Sequence, residues 1–339
     1  MQLGIVLDEV DPWDFFSDVF VDLQSHYNTT VFKKRSYTLP VFHQRINRHL
    51  LHRDLQNFMR QNQVVFFEWA SELLAVASYL PKTCTIVTRL HRYEMYQWVD
   101  RINWDNVDKV ILVSKAKQKE FSKRFPNHAD KTIVIPVSVS LDKFSYKART
   151  FAGDIGIMCH LTPRKRVYDL ILTFYECLQE NPNLHLHIAG GQHVAYQDYY
   201  EALHHIVSVL KISDHVTFHG HVTDTHEWYH RVDIFISNSY SEGLQVAPME
   251  AMASGCYCLS HCWDGVEELL PEENLYATNM ELKQKILAYC ELTESEKQQQ
   301  RIRMRAVASD RFDLQQSIAG IRQVIEDFAI DEENRMVLA

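Results

Sequence analysis

Short apolar runs alternate with helix-like segments along almost the whole chain, and this alternation constrains the fold more than any other feature. The runs lack polar alternation, which favours central parallel strands covered by helices on both faces. The first series lies at residues 3–7, 64–67, 85–88, 109–114 and 132–137. The second series lies at 154–158, 184–189, 216–219, 233–237 and 256–260. Two such series predict an α/β protein with two doubly wound, Rossmann-like domains.

The restart of the pattern sets the predicted domain boundaries. We expect an N-terminal domain at 1–150, a C-terminal domain at 151–310, and a last helix at 311–339 that packs back towards the N-terminal domain. Residues 1–150 hold 21 lysines and arginines against 16 acidic residues, whereas the remainder is acidic. Such asymmetry indicates two bodies with different partners. Because open α/β sheets bind ligands at the carboxyl ends of their strands, we expect the site in a cleft where the domains face each other.

Composition excludes several classes of protein. A net charge of −9 argues against a nucleic-acid binder, which usually carries a basic field. No apolar run reaches the length of a membrane span, and residues 1–10 lack the basic start of a signal peptide. Seven irregularly spaced cysteines suit reduced thiols. We therefore expect a cytoplasmic protein.

The strongest chemical signal is the segment SEGLQVAPMEAMASG at residues 241–255, directly after a predicted strand. Gly243 permits close approach of a ligand to the backbone. The N–H groups at the start of the helix that follows favour phosphate. Glu242 precedes this helix and Glu250 lies within it, so that both carboxylates can reach one pocket and accept sugar hydroxyls.

This segment resembles the hallmark of the family-4 retaining glycosyltransferases, in which two glutamates are separated by seven residues. Here it reads EGLQVAPMEAMASG, with Gln245 in place of a family glycine. The likeness continues through DGVEELL at 264–270 and backward through IAGG at 188–191. The resemblance implies the GT-B fold and transfer of a sugar from a nucleotide-diphosphate donor.

The resemblance also implies roles for residues of the C-terminal domain. Glu250 would bind the ribose, and Glu242, as a catalytic residue, the donor sugar. The backbone of Gly243 and Leu244 would bind the diphosphate. The segment CHLTPRKR at 159–166 matches a family loop whose lysine, here Lys165, neutralises the leaving diphosphate. The remaining residues assigned to donor binding are His160, which replaces a family arginine, Arg164 and Val222.

In the predicted N-terminal domain, RLHRYE at 89–94 resembles a family segment whose histidine reaches the donor sugar. We carry that catalytic role to His91. Glu68 and Glu94 are assigned to the acceptor. The acidic stretch 8–14 replaces a family glycine-rich loop, so the acceptor side is expected to differ from that of relatives.

The sequence thus predicts a retaining glycosyltransferase for cell-envelope or other glycan synthesis, with no cofactor and no metal. A catalytically inactive nucleotide- or glycan-binding homologue and a nucleotide-sugar epimerase stay as alternatives. The group Cys256, Cys258, His261 and Cys262 matches no standard zinc spacing, and we interpret it as core strand and loop.

A basic helix predicted at 41–62 suggests a further partner. It carries Arg45, Arg48, Arg53 and Arg60 opposite an apolar face, and Lys33, Lys34 and Arg35 precede it. We hypothesise that it contacts anionic lipid at the inner membrane face, or guides a polar acceptor that carries negative charge. The alternative is an ordinary helix packed on a sheet with a solvated charged face.

Overall fold

The computed structural model describes residues 1–7, 16–35 and 43–337, leaving out the side chains of 43 and 329–337. The chain divides into two compact units, one formed by Met1–Val137 with Gln315–Ala339 and the other by Ser138–Leu314. Among the helices within the described ranges, none combines the length and apolar content that crossing a bilayer requires. The predicted loop at 8–14 lies outside the described residues.

The first unit contains a six-stranded, fully parallel sheet in the order β2-β1-β3-β4-β5-β6. Its strands are β1 (Gln2–Val6), β2 (Asn28–Val31), β3 (Val64–Phe67), β4 (Thr85–Leu90), β5 (Lys109–Leu112) and β6 (Thr132–Val134). Its connecting helices are α1 (Ser17–His26), α2 (His43–Gln61), α3 (Glu72–Ala77), α4 (Arg92–Gln97) and α5 (Lys115–Arg124). All four residues of β3 are buried, as expected for a strand covered on both faces.

The second unit contains another six-stranded parallel sheet, in the order β12-β11-β10-β7-β8-β9. Its strands are β7 (Asp154–Met158), β8 (His185–Ala189), β9 (Val216–Gly220), β10 (Ile234–Ser237), β11 (Tyr257–His261) and β12 (Leu275–Tyr276). Its helices are α6 (Val167–Glu180), α7 (Gln197–Val209), α8 (Thr225–Tyr229), α9 (Val246–Ala253), α10 (Asn279–Glu291) and α11 (Glu294–Phe312). The strand order reverses between β7 and β10, and such a switch point is where doubly wound sheets bind ligands.

The last helix, α12 (Leu314–Val337), lies in the first unit from Gln315 onward. The Ser317 hydroxyl donates to the Pro136 carbonyl at 2.9 Å. Arg322 Nε lies 3.5 Å from Asp22 Oδ2 on α1. These contacts join α12 to α1 and to the segment that follows β6.

The predicted boundary at residue 150 falls inside the second unit. Residues 138–150 are held in the second unit by contacts with α11 and with the residue that follows it. Val139 forms a parallel bridge with Asp313, and Arg305 donates to the Leu141 carbonyl at 3.0 Å. The connecting segment therefore contributes structure to the second unit.

A buried carboxylate joins the amino ends of the strands in the second unit. Asp233 Oδ2 accepts backbone N–H bonds from Ala152, Gly153 and Asp154 at 2.8, 2.9 and 3.2 Å. Asp233 Oδ1 accepts from Arg301 Nη2 on α11 at 2.7 Å. The Arg301 side chain is 0% and that of Asp233 2% exposed, so each charge depends on the other for compensation.

We predict that Arg301→Met destabilises the chain by about 3–5 kcal/mol, because it leaves the Asp233 carboxylate buried without its main cation. The matched control is Arg303→Met, two residues along the same helix, where the side chain is exposed. That control should change stability by about 0.5 kcal/mol or less. Urea unfolding followed by circular dichroism measures both variants. Equal stability of the two would contradict a structural role for the ion pair.

Candidate functional site

Two loops of the second unit meet at the switch point between β7 and β10. The first follows β7 and runs from Cys159 to Arg166, and the second follows β10 and runs from Asn238 to Gln245. Arg164 joins them twice, because its carbonyl accepts from the Tyr240 N–H at 3.3 Å and its Nη1 donates to the Ser241 carbonyl at 2.8 Å. The residues that the resemblance selected on these loops are therefore neighbours in the structure.

Glu242 lies between two cations of the β7 loop. Lys165 Nζ donates to Glu242 Oε1 at 2.7 Å, and Arg164 Nη1 donates to the same oxygen. The Glu242 side chain is 9% exposed. Burial raises the pKa of this carboxyl, but the charges of Lys165 and Arg164 outweigh burial and hold the pKa below its ordinary value. The cluster carries one net positive charge, which suits an incoming anion.

Arg166 ends the β7 loop in the left-handed conformation, with φ at 51°. This is the position where the family pattern has glycine, and left-handed backbone explains that preference. Three hydrogen bonds of Arg166 offset the cost of this backbone conformation. Arg166 Nε donates to Asp169 Oδ2 at 3.2 Å, Arg166 Nη2 to Asn279 Oδ1 at 3.1 Å, and Asn238 Nδ2 to the Arg166 carbonyl at 2.9 Å.

The loop after β8 closes against the β7 loop through Gly190. Leu161 and Gln192 form a parallel bridge that extends the pairing of the two strands. Gly190 has φ at +135°, and a Cβ there would lie 1.9 Å from the carbonyl oxygen of Cys159. Only glycine permits this approach of the two loops.

His160 stands in this basic region as an exposed side chain. Surrounding protein atoms and the charges of Lys165, His193, Arg164 and His221 lower the pKa of its imidazole. A lowered pKa favours the uncharged ring, whereas the family arginine would bring a permanent charge to this position. The sequence had not singled out His193, which lies two residues beyond Gly191.

Glu250 is held by a residue that sequence reasoning missed. The Tyr229 hydroxyl, on α8, donates to Glu250 Oε2 at 2.9 Å. Tyr229 is fully buried, and burial together with the Glu250 charge raises the pKa of its phenol well above 10. The phenol therefore remains a donor that orients the carboxylate. No sequence signal marks this pair, because 21 residues separate the two partners.

Gly243 and Leu244 directly precede Gln245, the residue that caps the start of α9. Gln245, which replaces a family glycine, bonds through its side chain to the end of β10. The Ser237 hydroxyl donates to Gln245 Oε1, and Gln245 Nε2 donates to Ser239 Oγ at 3.1 Å. These bonds fix the loop that leads into the helix. Val222 is half-buried between β9 and α8.

The predicted residues of the first unit lie at the ends of β3 and β4. Glu68 is fully buried and accepts from Arg89 Nε at 2.8 Å. His91 Nε2 lies 3.5 Å from Glu68 Oε1, and the His91 ring stacks on Trp69 at 6.1 Å. Glu94 is buried and accepts from the His91 N–H at 3.1 Å. Both glutamates thus have structural bonds here, and their acceptor role stays a prediction.

We predict that Glu242 stabilises the chain in a pH-dependent way. Since its folded pKa lies below the ordinary value of 4.5, the contribution is fully present above that value and is lost as pH falls through the lowered pKa. Glu242→Gln mimics the protonated acid, so the stability advantage of wild type over this variant should stay constant above about pH 5 and shrink as the pH falls below the ordinary value of 4.5 towards the lowered pKa. Urea unfolding at each pH measures it, with exposed Glu201→Gln as control. A constant advantage would contradict the electrostatic account.

The comparisons with known proteins agree with this geometry. Residues 152–291 match the family model described as glycosyl transferases group 1. The lipopolysaccharide core biosynthesis mannosyltransferase LpsB of Rhizobium meliloti (strain 1021) is 24% identical over 222 residues, which is 64% of this chain and 57% of LpsB. LpcC of Rhizobium leguminosarum bv. viciae, of the same description, is 38% identical over 64 residues, 19% of this chain and 17% of LpcC. The chain thus spans little more than half the length of LpsB.

Solved structures match over nearly the full chain. Anabaena HepE in complex with UDP has a TM-score of 0.77 at 18% identity, covering 96% of this chain and 99% of HepE. A glycosyltransferase from Rickettsia africae ESF-5 has a TM-score of 0.75 at 13% identity, and the match covers 97% of this chain and 98% of the Rickettsia chain. These likenesses confirm the predicted α/β fold of the GT-B class. The match over residues 152–291 confirms the resemblance to the glycosyl transferases group 1 that the motifs at 159–166 and 241–255 predicted.

Proposed function

We propose that this chain is a retaining glycosyltransferase that moves a sugar from a nucleotide-diphosphate donor to an acceptor hydroxyl. The observation that carries the proposal is the Lys165–Glu242 contact of 2.7 Å at the switch point of the second sheet. It joins the family lysine and the family glutamate directly before the start of α9. The family match over 152–291 supports the same reading.

The charges around Glu242 suit a departing diphosphate. Lys165 and Arg164 share one carboxylate, so an anion that enters the loop finds positive charge already in position. The N–H groups of Gly243 and Leu244 would add donors near a helix start. Such preorganised groups stabilise the negative charge that develops as the sugar–phosphate bond breaks. No protein nucleophile, metal or cofactor enters this proposed reaction.

Retention requires the acceptor hydroxyl to attack from the face that the diphosphate leaves. In this proposal the departing phosphate takes the proton of the hydroxyl, and Glu242 binds hydroxyls of the donor sugar. Glu250, oriented by Tyr229, would bind the ribose of the donor. His91 keeps its proposed role at the donor sugar.

The names of the relatives suggest the substrate class. LpsB and LpcC are named for mannose transfer in lipopolysaccharide core biosynthesis, and HepE has been solved with UDP and with UDP-glucose. We propose a hexose donor carried by a nucleoside diphosphate, with a cell-envelope glycan or lipid-linked glycan as acceptor.

We predict that Glu250→Ala and Lys165→Ala each weaken nucleoside-diphosphate binding about tenfold or more, since a charge-assisted hydrogen bond contributes roughly 1.5–3 kcal/mol. A thermal-shift panel of UDP, GDP and ADP, with their hexose conjugates, identifies the ligand because binding to the native state raises the melting temperature. Titration of that ligand then compares the variants. The matched controls are Glu201→Ala and Lys123→Ala, which remove exposed side chains.

Unchanged affinity in both site variants would overturn the donor assignment. Binding without transfer or hydrolysis would favour the inactive homologue, for which the presence of His160 at the family arginine position is the supporting observation. Conversion of the donor sugar without any acceptor would favour an epimerase.

We also propose that α2 contacts an anionic surface. Arg45, Arg48, Arg53 and Arg60 are exposed, whereas Leu51, Leu55 and Met59 are buried in the core of the first unit. The apolar face is therefore used for packing, and docking would be electrostatic. A cavity of about 720 Å³ lies beside α2. The basic side chains of Lys34, Arg35, Arg48 and Arg101 line it, together with Trp98.

We predict salt-sensitive binding to vesicles that contain anionic lipid, because each basic residue near such a surface contributes about 1 kcal/mol. Co-sedimentation at low and high salt measures the bound fraction. Arg45→Gln with Arg48→Gln should reduce binding roughly tenfold or more, while Arg303→Gln on α11 should not. Absence of binding to anionic vesicles at low salt would leave α2 as an ordinary charged helix.

A further inference from the structure

The short helix α8 and the residue that follows it carry the sequence His226-Glu227-Trp228-Tyr229-His230, in which two histidines stand four residues apart. This spacing brings both imidazoles to the same side of a helix. The pattern H-E-x-x-H is known as a metal-binding arrangement, but it occurs by chance as well and needs support from geometry. The face of α8 that carries Tyr229 belongs to the Glu250 contact, so the two histidines are outside the machinery described above.

The geometry provides that support. His226, Glu227 and His230 each offer one ligand atom, and the three atoms lie within 4.8 Å of one another. The imidazole centres of the two histidines are 4.1 Å apart, and His230 Nδ1 lies 3.8 Å from Glu227 Oε1. Ligands of a tetrahedral zinc ion are about 3.3 Å apart, so small side-chain rotations would complete the set.

Among the three residues, His230 has the contacts that best fit a metal ligand. Its side chain is 8% exposed, and its Nδ1 is buried with no hydrogen-bond partner among the described residues. Its other nitrogen, Nε2, lies 3.0 Å from the Ser145 carbonyl oxygen. Because a carbonyl only accepts, Nε2 carries the proton and Nδ1 of the neutral ring presents a lone pair towards Glu227. Metal-binding histidines commonly have their second nitrogen fixed by a backbone carbonyl in this way.

The other histidine, His226, is held in place by the segment 144–145. His226 Nε2 lies 3.2 Å from the Ser145 hydroxyl, and the His226 ring contacts Phe144 edge-on at 6.2 Å. The Phe144 carbonyl accepts from Arg305 on α11. Glu227 is 57% exposed and can move to complete a coordination sphere without disturbing the core.

From this arrangement we propose that His226, Glu227 and His230 bind one divalent transition-metal ion. Two imidazoles and one carboxylate suit Zn²⁺, Co²⁺, Ni²⁺ or Cu²⁺ rather than Mg²⁺ or Ca²⁺, which prefer oxygen ligands. Water would fill the remaining coordination. The ion would cross-link α8 internally beside the segment 144–145. The ion would be bound here without taking part in the sugar transfer proposed above, which uses no metal.

The test uses the full chain after exhaustive treatment with a chelator. Zn²⁺ is titrated by calorimetry, and Co²⁺ by the visible absorption of the bound ion. We expect one saturable site in the wild type, and at least about a 100-fold weaker affinity in His226→Gln/His230→Gln. Glu227→Gln changes an exposed side chain and should weaken binding about tenfold or more while the chain folds normally.

The matched control is His185→Gln/His187→Gln, which removes another adjacent pair of imidazoles on β8, with ring centres 4.6 Å apart. It should retain wild-type affinity. Circular dichroism and melting without metal establish that each variant is folded. The proposal is overturned if the wild type binds no equivalent of Zn²⁺ or Co²⁺. It is equally overturned if Glu227→Gln and the folded α8 double variant bind as the wild type does, or if the β8 control loses the site.

Discussion

The second unit depends on the Asp233 carboxylate. Four donors converge on its two oxygens, three from the backbone at the start of β7 and one from Arg301 on α11. Without these bonds a buried charge would stand at the amino end of the central strands, at a free-energy cost of several kcal/mol. The bonds fix the relative positions of β7 and β10 at one end. The carboxyl ends of the same strands, which carry the β7 and β10 loops, are thereby positioned by the fold itself.

The charge state of Glu242 depends on this positioning of the β7 and β10 loops. Glu242 is almost completely buried, which alone would favour its neutral form. Lys165 and Arg164 reverse this preference, and each of them in turn is held by the carboxylate. The result is a group of three charges that ion pairs hold together. Groups that are already in position lose less entropy when an anion binds, which is the general advantage of preorganisation.

Most of the fold was predictable because parallel, doubly covered strands are continuous apolar runs. β2 was missed because its sequence, Asn28–Val31, is polar and lies at the sheet edge, where the apolar signal is weak. β12 contains only two residues. The pairing of Lys165 with Glu242 was accessible only through the family motif, since 77 residues separate them. The Tyr229–Glu250 and Arg89–Glu68 bonds have no local pattern, whereas the spacing of His226 and His230 could have been recognised from sequence.

The position of α12 has a consequence for how the protein is made. The first unit is built from two segments, so the second unit is in effect an insertion between β6 and α12. Ile318, Ile321, Val324 and Ile325 of α12 are buried in the first unit. During synthesis from the amino end, the first sheet therefore leaves the ribosome before α12 has been made. The second unit can complete its core earlier, and the first unit becomes complete only after α12 has emerged.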